Sequence, residues 1–258
     1  MNIAFIGGCL NRQRNLSPDE HYHAIVRRGL VNNTGVNPAV GLYFYSSYHQ
    51  LHRKAQVVLN GDTNYDCLVL FIRAYTLIPL TKLFIRYTDK QMQNKVGLHP
   101  KYAGTPYYNL MAEEYKVPVA KVRDGVFQKT FQEFNNFAGD MLGLPEWAVE
   151  EVIAILKDIH LMALERKIKL VIAGPILYPA VDRINNVCIE LNRRVTIFAA
   201  LNGIPHIDLA KRFDSDGNQV LGDDLKHLTA FGHSFMAEQI LGFINEPQTT
   251  SAPVPNPG

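Results

Sequence analysis

The chain is poor in cysteine and almost without tryptophan, with three of the first and one of the second among 258 residues. Cys9, Cys67 and Cys188 stand far apart. That spacing spells neither a disulfide framework nor a zinc site, and it fits a reducing compartment. Cys67 and Cys188 lie inside apolar runs and read as small buried hydrophobes. An excess of one charge is lacking too. Lysine and arginine total 26 against 24 acidic residues, a net charge of +2, which gives no case for nucleic acid or an anionic membrane as partner. No hydrophobic run approaches a membrane span. The apolar start, Met1 to Ile6, is too short for a signal peptide and lacks its basic region. A Gly-x-Gly-x-x-Gly fingerprint is absent, because Cys9, Leu10, Asn11 and Arg12 follow Gly7-Gly8, so a nucleotide-binding role is weakly supported. These absences lead us to expect a soluble, cytoplasmic protein with no metal, no cofactor, and no membrane or nucleic-acid partner. They say nothing about oligomeric state.

What is present is an alternation of strands and helices. Ile3 to Ile6 is a continuous apolar run that ends in Gly7-Gly8, as a buried strand closed by a tight turn does. Ser17-Pro18-Asp19-Glu20 spells a helix start with a capping box, leading into a helix through His21, Ile25, Val26 and Leu30. Val40 to Tyr45 and Asp66 to Ile72 read as a second and a third strand. A helix through Val149, Val152, Ile153, Leu156, Ile159 and Leu164 has apolar residues at three- and four-residue steps. Lys169 to Ala173 is a strand stopped by Gly174-Pro175. Asp182 to Leu201 is a helix with Gly203 at its C-cap, and Pro205 to Leu209 is a short strand. Thr229 N-caps a last helix whose apolar run is Phe231, Phe235, Met236, Ile240, Leu241 and Ile244. The pattern predicts an α/β fold: a three-layer α/β/α sandwich around a five-stranded, mostly parallel, flavodoxin-like sheet. We expect one domain over residues 1–245. Residues 73–144 form a long irregular, partly helical insertion with no clear period, and residues 246–258 a disordered, proline-rich tail.

Two stretches carry chemistry. Asp224 precedes His227 by three residues in a polar loop before the last helix. A carboxylate that close can orient an imidazole and stabilise its cation, which makes the imidazole a competent general base. Asp223 is the rival carboxylate, and the spacing favours Asp224. At the other end, Cys9 sits in the turn between the first strand and the first helix. Backbone N–H groups and a helix N-terminus there favour a thiolate.

Gly7-Gly8-Cys9-Leu10 resembles the Gly-Asp-Ser-Leu block of the SGNH/GDSL hydrolases, with cysteine in the place of the nucleophilic serine. Asp224-Leu225-Lys226-His227, with Gly232-His233 after it, resembles their Asp-x-x-His block. The strand ending at Asp208, the helix carrying Asn192, and Gly174-Pro175 are similar to that family's second half. The resemblance implies an acyl-ester hydrolase or acyltransferase acting on a small or carbohydrate-linked ester through a Cys9–His227–Asp224 triad. The family's Gly-x-Asn-Asp block, which lends an Asn to the oxyanion hole, has no counterpart; the third strand runs out into Arg73-Ala74-Tyr75. Gly8, Arg73, Tyr75 and Ser46 are the candidates for oxyanion or substrate contacts. The competing reading is an inactive relative that binds a glycan or metabolite in the same cleft. Outside the triad, His21 and His23 are expected to be solvated on the first helix, His99 and His160 to be without a role, and His233 to pack the last helix. Tyr102, Tyr107 and Tyr108 are expected to pack the long insertion.

Overall fold

A computed structural model describes residues 1–7, 16–45, 48–73, 144–176, 182–211, 213–222 and 228–245. The expectations for residues 74–143 and for the tail from 246 onward lie outside them. In chain order the strands are β1 (Ile3–Gly7), β2 (Val40–Phe44), β3 (Cys67–Phe71), β4 (Lys169–Ala173) and β5 (His206–Ile207). The helices are α1 (Tyr22–Thr34), α2 (Tyr48–Asn60), α3 (Leu144–Glu165), α4 (Asp182–Leu201) and α5 (Ala230–Asn245).

The strands form one sheet in the order β2-β1-β3-β4-β5, and every pair in it is parallel. β1 is central to the first half, with Gly7 opposite Phe44 and Ile6 opposite Leu70. A parallel sheet covered on both sides must be apolar at every position, and β1 and β3 are buried throughout. Their residues alternate between two cores. Ala4, Ile6, Leu68, Leu70 and Ile172 face α2, α3 and α4. Phe5, Val69, Phe71 and Val171 face α1 and α5. Cys67 and Cys188 are both buried, one in each core, as their apolar surroundings predict.

The element order, the sheet and its flavodoxin-like strand order agree with the sequence reading. Four details differ. α2 is not evident from composition, because His, Gln, Arg and Lys fill its outer face; Leu51, Ala55, Val58 and Leu59 supply the inner one. The capping box at Ser17 opens a short 3-10 turn, Pro18–Glu20, rather than α1 itself. His21 is extended (φ −72°, ψ 140°), so α1 starts at Tyr22. Finally, Leu164 and Phe231, both expected on buried faces, are exposed, and Ala163, Gly232 and His233 are buried beside them.

Candidate active site

Of the seven residues singled out from sequence, only Arg73 is described; Cys9, Asp224, His227, Gly8, Ser46 and Tyr75 lie outside the described residues. The elements that lead into and out of both motif segments are described, and they define the site's frame.

The first part of that frame is the carboxyl end of β1, where the turn toward Cys9 leaves the sheet at Gly7. In this strand order the chain passes to β2 on one side of β1 and to β3 on the other. Such a switch point is where α/β sheets bind ligands. A bond from β3's end to residues at or after β2's end must span the end of β1. The Tyr45 hydroxyl donates to the Phe71 carbonyl at 2.7 Å. The Tyr48 hydroxyl donates to the Arg73 carbonyl at 2.8 Å. Arg73 Nη1 donates to the Tyr45 carbonyl at 2.6 Å, and its guanidinium lies 5.6 Å from the centre of the Tyr45 ring. Arg73 is thus a partly buried cation oriented at the carboxyl end of β3.

The second part is the entry to α5. Leu221 and Leu228, on either side of the Asp224–His227 stretch in sequence, pair as an antiparallel bridge. Thr229 caps α5 as expected. Its Oγ1 accepts the Gly232 N–H at 2.9 Å and donates to the Gln219 carbonyl at 2.6 Å. The Thr229 amide adds a bond to the Val220 carbonyl at 2.9 Å. Gly232 is required here by space, because a Cβ on it would lie 2.1 Å from the Val220 carbonyl oxygen.

A third group is a cluster of histidines, of which His21 and His23 are expected from sequence in solvent and His233 is expected to pack the last helix. His21, His23 and His233 are all fully buried, and they are the buried polar side chains among the described residues. The extended backbone of His21 turns its ring inward, where it stacks on His23 with centroids 5.3 Å apart. Its Nδ1–H donates to the Ser17 carbonyl at 2.9 Å. His233 meets His21 edge-on at 5.3 Å and stacks on Tyr22 at 5.8 Å. His23 rests against Phe5 of β1 at 6.2 Å. The Tyr22 amide donates to His233 Nδ1 at 3.1 Å. This junction joins the start of α1 to the start of α5. The only signal for it in sequence is three histidines adjoining the two motif segments. Nearby, Ser17 donates its amide and hydroxyl to the Glu20 carboxylate, both at 2.8 Å, and those bonds hold Glu20 below the usual carboxylate range.

Toward the other edge, His206 Nε2 donates to the Gly174 carbonyl at 2.8 Å, and Asp208 Oδ1 accepts the Ala210 amide at 2.9 Å. Among the described residues no group of three or more His, Cys, Asp or Glu could hold a metal ion. No described helix is long and apolar enough to cross a membrane.

Known proteins with this arrangement are found through structure alone. No family profile matches the chain, and no curated protein matches it in sequence. Among solved structures, a lipase from a goat rumen metagenome aligns with TM-score 0.56 and 11% identity, over 94% of this chain and 96% of its own. An acetyl xylan esterase aligns with TM-score 0.53 and 11% identity, over 95% and 100%. A member of the lipolytic G-D-S-L family from Veillonella parvula aligns with TM-score 0.52 and 15% identity, over 95% and 100%. The fold is that of the GDSL-type lipases and esterases. Identities this low carry the architecture and not the chemistry, so the SGNH-type frame is established independently of what its motif residues do.

Proposed function

We propose that this chain hydrolyses an acyl ester, or transfers its acyl group, with Cys9 as nucleophile, His227 as base and Asp224 as the carboxylate that orients His227. The observation that supports this most is the bond between the Tyr22 amide and His233 Nδ1. It ties the start of α1, which comes after Cys9 in the chain, to the first turn of α5, which comes after His227, and so supports a reading in which the two motif stretches meet. In this reading His227 takes the Cys9 proton and the thiolate adds to the ester carbonyl carbon. The oxyanion meets the Cys9 amide, with the Arg73 guanidinium as the charged donor of that edge. One such donor is worth ~2.7–4 kcal/mol in the transition state. Collapse expels the alcohol, which leaves with the proton held by His227, and a Cys9 thioester remains. Water then attacks the thioester, gives its proton to His227, and releases the acid and the thiol. An acetylated carbohydrate is the substrate class we favour, by analogy of fold with the acetyl xylan esterase.

The test is the pH dependence of Cys9 alkylation by iodoacetamide in the native protein, read by mass spectrometry, in wild type and His227→Ala. Burial pushes the Cys67 thiol up to about 12, and Cys188 is fully buried, so neither reacts in the folded state. We expect a wild-type midpoint well below the free-thiol value of about 8.5, with that advantage lost in the variant. Acetyl ester turnover, lost in Cys9→Ala, should accompany it. Ordinary thiol behaviour in wild type would sink the triad and favour a non-catalytic glycan- or metabolite-binding protein.

A further inference from the structure

We infer that His233 is a positioning residue for the Cys9–His227 pair: the bond it accepts from the Tyr22 amide fixes the first turn of α5, which follows His227 in the chain, against the start of α1, which follows Cys9. The inference rests on the triad reading and adds to it a residue outside the triad. A backbone amide can only donate, so His233 Nδ1 bears the lone pair and its imidazole carries the proton on Nε2 if neutral. His233 belongs to the first turn of α5, six positions after His227, and Tyr22 is the first residue of α1, the helix that follows Cys9. The bond spans 211 positions of sequence between them, and it is fully buried.

The surroundings make this bond directional. Tyr22 stacks on the His233 ring with planes 13° apart, and His21 closes its edge. On the α5 side, Thr229 and Gly232 tie the same turn to residues 219 and 220 with no slack. On the α1 side, Tyr22 packs edge-on against Phe5 of β1 at 5.4 Å. A shift of α5 along α1 therefore has to break the bond or move a ring. A misplacement of about 1 Å in a nucleophile–base pair costs about a hundredfold in rate, so a bond of this kind has leverage on chemistry that it does not touch. A plain apolar side chain at 233 would fill the same space and fix neither register nor distance.

The experiment compares His233→Phe, His233→Asn, His227→Ala and wild type. Phenylalanine keeps the ring on Tyr22 and lacks the acceptor. Asparagine loses the ring and places an amide oxygen where Nδ1 accepts. Each is assayed for its thermal midpoint and for the pH profile of Cys9 alkylation. We expect His233→Phe to remain folded and to raise the alkylation midpoint by about one unit toward that of His227→Ala, roughly a tenfold loss of thiolate at neutral pH. His233→Asn should lie closer to wild type in this profile even if it melts lower. If His227→Ala changes the profile and His233→Phe does not, the positioning role is overturned and the triad stands. If both His233 variants follow thermal stability alone, with Asn no better than Phe, His233 is a core residue and no more. If wild type itself shows an ordinary thiol, the triad falls and the positioning role falls with it.

Discussion

The two faces of the sheet are built by different means. Against α2, α3 and α4 the core is hydrocarbon, edged by the phenols Tyr43, Tyr45, Tyr48 and Tyr65. Tyr43 and Tyr65 share one bond at 3.0 Å between their hydroxyls, and burial raises the Tyr43 pKa. Against α1 and α5 the core closes at its upper end with three imidazoles. Apolar burial is non-directional and supplies stability without fixing a register. Buried polar bonds add little net stability but fail outright when misaligned, so they specify geometry. The imidazole bonds lie on the face whose helices follow Cys9 and His227, while the phenol bonds of the other face gather around Arg73 at its carboxyl edge. Changes on the α1/α5 face should therefore alter the thiol's behaviour together with stability. Changes among α2, α3 and α4 away from Tyr45, Tyr48 and Arg73 should alter stability alone.

The largest effect is expected from Gly232→Ala. The new methyl meets a backbone carbonyl rather than a flexible side chain, so Val220 or the first turn of α5 has to move. Overpacking of this kind costs ~1–3 kcal/mol. The shift should be felt at the Leu221–Leu228 bridge, next in sequence to Asp224 and His227. Urea denaturation should show a lower midpoint at unchanged slope, and the Cys9 alkylation midpoint should rise as well. A variant that loses stability yet keeps the wild-type thiol profile would break the proposed link between this face and the site.

A smaller effect, confined to the other face, is expected from His160→Phe. His160 lies on α3 and meets Phe198 of α4 edge-on at 6.2 Å. Partial burial lowers its pKa. The unfolded chain takes up that proton near pH 6.5, while the folded chain does so only at lower pH. In the interval the unfolded state holds more protons, so this group's contribution to stability is present at neutral pH and is lost as pH falls from about 6.5 through the folded value. Phenylalanine cannot titrate, so the variant should lose less stability between pH 7.5 and 5 than wild type. Urea midpoints at the two pH values measure this, and the alkylation profile should stay unchanged. Equal acid sensitivity in both proteins would remove His160 from the account.

Most of the architecture was legible because buried parallel strands and amphipathic helices impose local patterns. β4 and α4 have the limits that the apolar runs and the flanking Gly174 and Gly203 imply. α2 was hidden because its inward residues are few and its outward ones are as polar as a loop. The inward turn of His21 was hidden for another reason. It depends on an extended residue between a 3-10 turn and a helix, and on a partner 212 positions away, which no local pattern encodes. The same holds for the Tyr45–Arg73 bond across β1: the position of Arg73 at a strand end could be read, and its partner could not. Motif spacing identified the candidate triad, and tertiary packing alone brings out the histidine junction between α1 and α5.

The smallest effect separates the faces most cleanly, because it involves neither core. α3 ends with Lys167 in the left-handed region at φ 56°, the one described non-glycine residue with positive φ. The chain turns there so that the Ile168 amide reaches the Ala163 carbonyl at 2.8 Å and the Lys167 amide reaches the Leu164 carbonyl at 3.0 Å. α1 and α4 have glycine in the corresponding place, Gly35 at φ 69° and Gly203 at φ 62°. A side chain in this conformation costs ~1–2 kcal/mol, and glycine avoids that cost. Against it stands the greater freedom of glycine in the unfolded chain, ~0.4–1 kcal/mol. The balance favours Lys167→Gly by a few tenths to about 1 kcal/mol, a rise of about 2 °C in Tm for a chain of this size. The Cys9 alkylation profile should be that of wild type. A thermal gain accompanied by a shifted profile would mean that the α3 end of the sheet communicates with the site, and the division between a face that stabilises and a face that positions would have to be abandoned.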